Sequence, residues 1–365
     1  MTDRRTFLTA AAATACAAAS RTSYPAEYPI YRAQGSHREL GRQHGEQAAP
    51  RIKAHLDYVA SSAKLSSDAV RRRALRFEPL FAQYCPHLIE EIRGVAEGAR
   101  IQFAEALAVN IRGEIGQVPA DGCTAYAVKQ PSREILIGQN SDMTADVPPL
   151  AYVLHLKPAG GKPEVMIWTF GGMIGYHGIN SAGVGHFANA LGGGPAGRFG
   201  MPHYPVKRMM LECRTSAEVV ELLKRVPLAS NGNYVLCDAA GILDVEATTA
   251  GPEVLSDQGK GYLVHTNHYV CSRYARKENF DKSWKDSFPR LERMNGLLAS
   301  SRRGGVSVDD LKKFLADHNG QPTAICRHDR DSVTVASIVA EPSHRRMHVA
   351  VGNPCENRFV TYSMS

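Results

Sequence analysis

Asp121-Gly122-Cys123-Thr124-Ala125-Tyr126 stands where the chain changes character, and its reading decides the fold. Ahead of it, from about residue 39 to 110, the sequence reads as helices. Apolar residues recur at helical spacing between 69 and 99 (Val70, Leu75, Leu80, Phe81, Leu88, Ile92, Val95), with breaks expected around Pro79 and Pro86. Gly35, Gly41 and Gly45 precede or punctuate the first helix. Beyond Cys123 short apolar runs take over, reading as strands at 124–128, 135–138, 152–156, 165–170 and 184–188. Helices at 206–213 and 217–226 follow, then strands at 234–237, 242–246 and 262–266. Helices at 289–298 and 308–318 and strands at 333–339, 346–351 and 359–362 close the chain. Strands and helices in alternating blocks are the order of a layered α+β domain, with two sheets stacked face to face and helices outside. Residues 20–122 then form a helical segment over a catalytic segment 123–365, together one globular domain.

The junction also carries a chemical possibility. Gly122 has no side chain to shield its carbonyl and permits the strained backbone that would bring the Cys123 thiol to it. An N-to-S acyl shift followed by hydrolysis would cut Gly122–Cys123 and leave Cys123 as a new N-terminus. Its freed α-amino group, with a reference pKa of about 7.7–8.0, would then be the base for its own thiol. Taken alone, Gly-Cys-Thr reads first as a buried cysteine opening a core strand.

The bulk composition narrows the classes. At 365 residues, 44% hydrophobic and 22% charged, the chain is that of a soluble globular protein. The net charge of +7 is modest, and Arg345-Arg346 has no aromatic residues interleaved with it, so nucleic acid is not an expected partner. The eight cysteines include no Cys-x-x-Cys pair, and His265 and His268 have neither zincin nor finger spacing, so no metal is expected. At the N-terminus, Arg4-Arg5-Thr6-Phe7-Leu8 resembles a twin-arginine export signal. The apolar run from Phe7 to Ala19 is too short to span a bilayer, and Ala17-Ala18-Ala19 offers a cleavage site. Residues 1–19 are therefore read as a leader for periplasmic or secreted export, the competing reading being an Ala-rich tail with a chance Arg pair. A lipid anchor on Cys16 fails because Ala13-Thr14-Ala15 lacks the usual leucine.

Several motifs in order bring a resemblance. They are the glycines at 35, 41 and 45, Asp-Gly-Cys-Thr-Ala-Tyr at 121–126, and Gly-Gln-Asn-Ser-Asp at 138–142. Gly-x2-Gly-Ile-Asn-Ser-Ala-Gly-Val at 175–184, His-Thr-Asn-His at 265–268 and the segment 324–340 complete the set. From about Gly35 to Thr361 the chain resembles the penicillin acyltransferase-like family of self-processing acyltransferases and amidases, related more distantly to bile salt and penicillin V hydrolases. The resemblance implies a four-layer αββα sandwich of the N-terminal-nucleophile hydrolase type. It implies a small acyl-amide substrate, acyl-CoA as one donor the family allows, no cofactor, and two chains that stay associated after cleavage.

It also implies site residues. Asp142 would accept a hydrogen bond from the Cys123 amino group and orient it. Asn267 would donate its side-chain amide to the oxyanion, with Asn189 as a second donor. Arg330 would be the cation that favours thiolate, with Arg327 as its competitor in the same loop. A papain-like site would need its cysteine at a helix N-terminus, and no Gly-x-Ser-x-Gly elbow marks a serine hydrolase. The rival from another class is a non-catalytic periplasmic ligand-binding protein that kept the fold.

Overall fold

The computed structural model describes residues 24–116, 122–271, 273–275, 285–301, 305–329 and 331–364. The leader at 1–19, Asp121 and Arg330 lie outside them.

The chain enters through β1 (Ile30–Gly35) and turns at Ser36 into α1 (His37–Ala63). A reciprocal cap starts that helix: Ser36 Oγ accepts from Glu39 N–H, and the Glu39 carboxylate accepts from Ser36 N–H at 2.8 Å. Next come α2 (Ser67–Leu75), α3 (Glu78–Tyr84), α4 (Pro86–Ala99), α5 (Phe103–Val109) and α6 (Arg112–Ile115). The breaks expected at Pro79 and Pro86 are helix starts: each proline sits in a first turn, where its missing N–H has no partner to lose. Gly41 and Gly45 of α1 face Gly94 and Gly98 of α4. A Cβ on Gly41 would lie 1.8 Å from Glu91 O, and one on Gly98 2.0 Å from Arg42 O. The two backbones touch because four side chains are missing.

The strand-rich part runs β2 (Gly122–Lys129), β3 (Ile135–Met143), β4 (Ala151–Pro158), β5 (Val165–Phe170), β6 (His177–Asn180) and β7 (Gly185–Ala190). It continues with α7 (His203–Met210), α8 (Ser216–Arg225), β8 (Gly232–Asp238), β9 (Gly241–Thr248), β10 (Gly251–Leu255) and β11 (Tyr262–His265). It ends with α9 (Ser287–Ser301), α10 (Val308–Leu315), β12 (Val333–Glu341), β13 (Arg346–Val351) and β14 (Phe359–Ser363). An eight-stranded sheet has the order β1-β4-β5-β6-β7-β8-β9-β10, and a six-stranded sheet the order β11-β2-β3-β12-β13-β14.

Three apolar seams separate four layers. The first packs α1, α4, α5, α7 and α8 on the large sheet, with Leu40, Ile92, Met210 and Leu222 against Tyr152, Ile167 and Val245. The second lies between the sheets, where Ala125, Ile137 and Ile338 meet Val153, Trp168 and Phe187. The third joins the small sheet to α9 and α10 through Tyr126, Val128, Met294 and Leu311. The α+β class and the αββα layering are thus as expected.

The segment read as purely helical departs from that reading, because β1 joins the large sheet beside β4, in parallel. Its polar Arg32 and Gln34 sit at the sheet's edge and hide the strand from an apolar pattern. Strands β6 and β10 also went unread: the first is four residues with a glycine inside, the second an edge strand carrying Pro252. Among the described residues no helix is long and apolar enough to cross a membrane.

Candidate active site

Side chains alternate across a strand, so the parity of β2 decides where Cys123 points. Ala125 and Ala127 face the seam between the sheets, whereas Tyr126 and Val128 face α9 and α10. Cys123 shares the parity of Ala125 and lines a cavity of about 160 Å³ walled by Tyr176, His177, Asn189, Tyr204, Lys207 and Tyr234. Thr124 shares the parity of Tyr126, and its Oγ1 accepts from Arg290 of α9 at 3.0 Å. A larger groove of about 800 Å³, lined by His87, Lys162, Glu212, Leu243 and Val254, holds none of these residues.

Cys123 is 2% exposed and its backbone is held from two sides. Its N–H donates to Asn267 Oδ1 at 3.1 Å, and its carbonyl accepts from Arg290 Nη1 at 2.6 Å. Arg290 also donates to Asn267 Oδ1 at 2.8 Å and, through Nε, to Asp286 Oδ2 at 3.0 Å. The guanidinium is a buried hub, 1% exposed, that ties the nucleophile's strand to the Asn267 loop.

That loop is fixed in turn by Ser287. Ser287 Oγ accepts from Asn267 N–H at 2.7 Å and bonds His268 Nδ1 at 2.7 Å, while Thr266 Oγ1 donates to Ser287 O at 2.9 Å. The donor expected at Asn267 turns its oxygen toward Cys123; its Nδ2 donates to Ala190 O at 3.0 Å. Arg290 sets this orientation, since a guanidinium can only donate and so must meet the amide oxygen.

Gly122 pairs across the hairpin with Asp142, and Cys123 with Ser141. A Cβ on Gly122 would lie 3.0 Å from Arg327 Nη1 and 3.2 Å from Asp142 Oδ2. Gly122 is thus wedged between a carboxylate and a guanidinium. Asp142 Oδ1 accepts from Thr334 Oγ1 at 2.7 Å, while Oδ2 is buried with no hydrogen-bond partner among the described residues. Burial raises the Asp142 pKa above its ordinary value, with Arg290 and Arg327 pulling the other way. Arg327 donates to Asp286 Oδ2 at 2.7 Å, so Asp286 bridges the two guanidiniums. Arg327, weighed as the competitor of Arg330, lies at Gly122; Arg330 is outside the described residues.

Asn189, on β7, brings its amide to the cavity wall. Its Oδ1 accepts from Asn233 Nδ2 at 3.4 Å, and its Nδ2 is buried without a partner among the described residues. The histidines have other duties. His265 bonds Glu246 at 3.1 Å and Thr266 O at 2.9 Å through its two ring nitrogens. Burial works against its charge, but Asp244 and Glu246 outweigh it and raise its pKa. His268 is held down to about 4, chiefly by burial. His177 accepts from Ala188 N–H at 3.3 Å, and burial with Lys207 nearby keeps it neutral.

Arg290, Asp286 and Ser287 have no motif to mark them, and Thr334 lies in the 324–340 segment without being singled out there. One signal was present for Arg290. It lies on the α9 stripe with Ser287, Met294 and Leu298, where an arginine at a buried helical position needs a partner inside.

A cysteine at the start of a hairpin strand, beside a cavity and an amide donor with no partner among the described residues, is an arrangement suited to handling acyl groups. The family model described as acyl-coenzyme A:6-aminopenicillanic acid acyl-transferase matches residues 128–356, and the chain belongs to that family. The match begins five residues beyond Cys123. A curated relative, the 40 kDa form of the acyl-coenzyme A:6-aminopenicillanic-acid-acyltransferase of Emericella nidulans, is 28% identical over 90% of this chain and 95% of its own. Two solved structures are more distant. A conjugated bile acid hydrolase mutant from Clostridium perfringens is 12% identical, with TM-score 0.42, over 67% of this chain and 97% of its own. Penicillin V acylase from Agrobacterium tumefaciens is 13% identical, with TM-score 0.45, over 63% and 83%.

Proposed function

We propose that the chain is a self-processing acyltransferase or amide hydrolase that works through an N-terminal cysteine thioester. The observation that carries this reading is the position of Gly122. It lies between the unpartnered Asp142 Oδ2 and Arg327, one bond ahead of a buried cysteine whose nitrogen is already held. In the first reaction Cys123 Sγ attacks the Gly122 carbonyl, and the thiol proton ends on the departing Cys123 nitrogen. Water then hydrolyses the thioester, leaving a chain that ends at Gly122 and one that begins at Cys123.

Departure of Gly122 opens space beside Asp142 Oδ2, which accepts a hydrogen bond from the new α-amino group; Asn267 Oδ1 accepts a second. The amine's lone pair receives the thiol proton, and the thiolate attacks the donor carbonyl. The leaving group takes that proton, and water or an amine then removes the acyl group from sulfur. Asn189 Nδ2 is the oxyanion donor with no competing bond. Acyl-CoA, which the Emericella relative's name couples to 6-aminopenicillanic acid, is the donor we propose, with a small amine as acceptor. After the cut β1 stays in the large sheet and the N-terminal helices stay on it, so the two chains remain associated. The twin-arginine leader would deliver this activity to the periplasm. The non-catalytic binding reading gains nothing from membership of an acyl-transferase family.

Intact mass and N-terminal sequencing of the purified protein test the proposal: the second chain should begin Cys-Thr-Ala-Tyr and run from 123 to 365. Turnover of N-acyl amides or acyl-CoA should track the cleaved fraction, and uncut protein that turns over as fast sinks the mechanism. In cleaved enzyme, Asn189→Ala is expected to lower kcat by about 10²–10³ with KM little changed, because a donor to the oxyanion acts only in the transition state. A raised KM at unchanged kcat would instead make Asn189 a substrate-binding residue.

A further inference from the structure

Away from Cys123, four side chains from three separate segments point their donor atoms at one another. His318 follows α10, Cys326 and His328 flank Arg327 ahead of β12, and Cys355 lies between β13 and β14. Their ligand atoms all lie within 4.8 Å of one another. Cys326 Sγ and Cys355 Sγ are 3.5 Å apart, and the Nε2 atoms of His318 and His328 are 3.2 Å apart. His328 Nε2 is 3.5 Å from Cys326 Sγ and 3.3 Å from Cys355 Sγ. A tetrahedral zinc with bonds of about 2.3 Å to sulfur and 2.0–2.1 Å to nitrogen sets its ligand atoms roughly 3.3–3.8 Å from one another. These four separations fall in or within about 0.1 Å of that band.

We propose that His318, Cys326, His328 and Cys355 form a structural zinc site that pins the Arg327 loop. Four protein ligands close the coordination shell, which suits a structural ion and leaves no position for a reacting water. Two thiolates balance the charge of Zn²⁺, and their two protons are released to solvent on binding. A thiolate and imidazole set in tetrahedral array is also the donor chemistry that selects zinc over harder cations.

An outer contact is in place. Asn353 Nδ2 lies 3.4 Å from Cys326 Sγ and donates to Arg327 O at 2.7 Å, tying the site to the residue between two of its ligands. Arg327 N–H donates to Thr334 Oγ1 at 2.8 Å, and the same hydroxyl donates to Asp142. Zinc would therefore hold the backbone of a residue whose side chain reaches Gly122. His318 and Cys355 are exposed, so the ion can enter and leave through solvent.

The test is metal content, independent of any activity. Untagged full-length protein, purified after expression with added zinc, should carry about one zinc per chain by plasma mass spectrometry. Cys355→Ser and His318→Ala should each lower this to less than about 0.1. Should either variant fold poorly, titration of the wild-type thiols with an organomercurial should release the zinc stoichiometrically. Cobalt substitution should give the intense visible bands of tetrahedral cobalt with sulfur-to-metal charge transfer. Three results would overturn the site: wild-type protein that binds no zinc, zinc retained in full by Cys355→Ser, or a Cys326–Cys355 disulfide found by non-reducing peptide mapping.

Discussion

Cys123→Ala is expected to yield one uncut chain and to lower kcat for acyl transfer or amide hydrolysis by about 10⁴–10⁶. The substitution removes the atom that attacks in both reactions, so processing and turnover fail together. Little else should change. The side chain is small and lines a cavity, and alanine keeps the backbone bonds to Asn267 and Arg290. Thermal unfolding of the variant should therefore stay close to that of the uncut wild type. Gel electrophoresis and steady-state kinetics on one preparation suffice. A variant that is still cut at Gly122–Cys123 would show that another group opens the bond and would remove Cys123 from the first step.

Arg290→Met is expected to destabilise the fold by about 3–5 kcal/mol and to slow the cut strongly. A buried guanidinium is costly to desolvate, and here the cost is offset by bonds to Cys123 O, Thr124 Oγ1, Asn267 Oδ1 and Asp286. Methionine matches much of the volume but takes that donor from Cys123 O and Thr124 Oγ1, and leaves Asn267 Oδ1 only its bond from Cys123 N–H and Asp286 only its Arg327 side. The Asn267 amide then loses the group that sets its orientation, and Cys123 N–H loses a fixed acceptor. Denaturant unfolding of Arg290→Met in the Cys123→Ala background, where both chains compared are uncut, isolates the stability term. A loss below about 1 kcal/mol, the net worth of one ordinary hydrogen bond, would deny Arg290 its place as the hub.

How far the sequence foretold this site depends on the kind of residue. Val165–Phe170 was legible as a strand because an apolar run of that length, broken only by Thr169, is buried on both faces. Asp142 was legible through a motif and Asn189 through the resemblance alone, and the structure sets each beside the cysteine's hairpin or cavity. Arg290 was not, since an arginine buried on an apolar helix stripe is spelled like one in solvent. Nor was the sense of the Asn267 amide, which depends on the guanidinium behind it. The four proposed zinc ligands share no spacing signature because the tertiary fold alone brings their three segments together. Expecting no metal from the absence of Cys-x-x-Cys rested on local spacing, which cannot register such convergence.

The cavity beside Cys123 is built unevenly. Apart from the cysteine, its lining comes from β6, β7, β8, α7 and their flanking loops, all of the large sheet's side. Asp142, Asn267, Arg290 and Arg327 belong to the small sheet, its helices and its loops. On the proposed function, the walls that would meet the acyl chain and the groups that would carry the reaction thus lie on opposite plates of the sandwich. Substitutions at Tyr176, Tyr204 or Tyr234 would then alter the wall the acyl chain meets without touching the opposing plate. Asn189, as the proposed oxyanion donor, would serve both sides, so a change of acyl preference made in this wall would have to spare that amide.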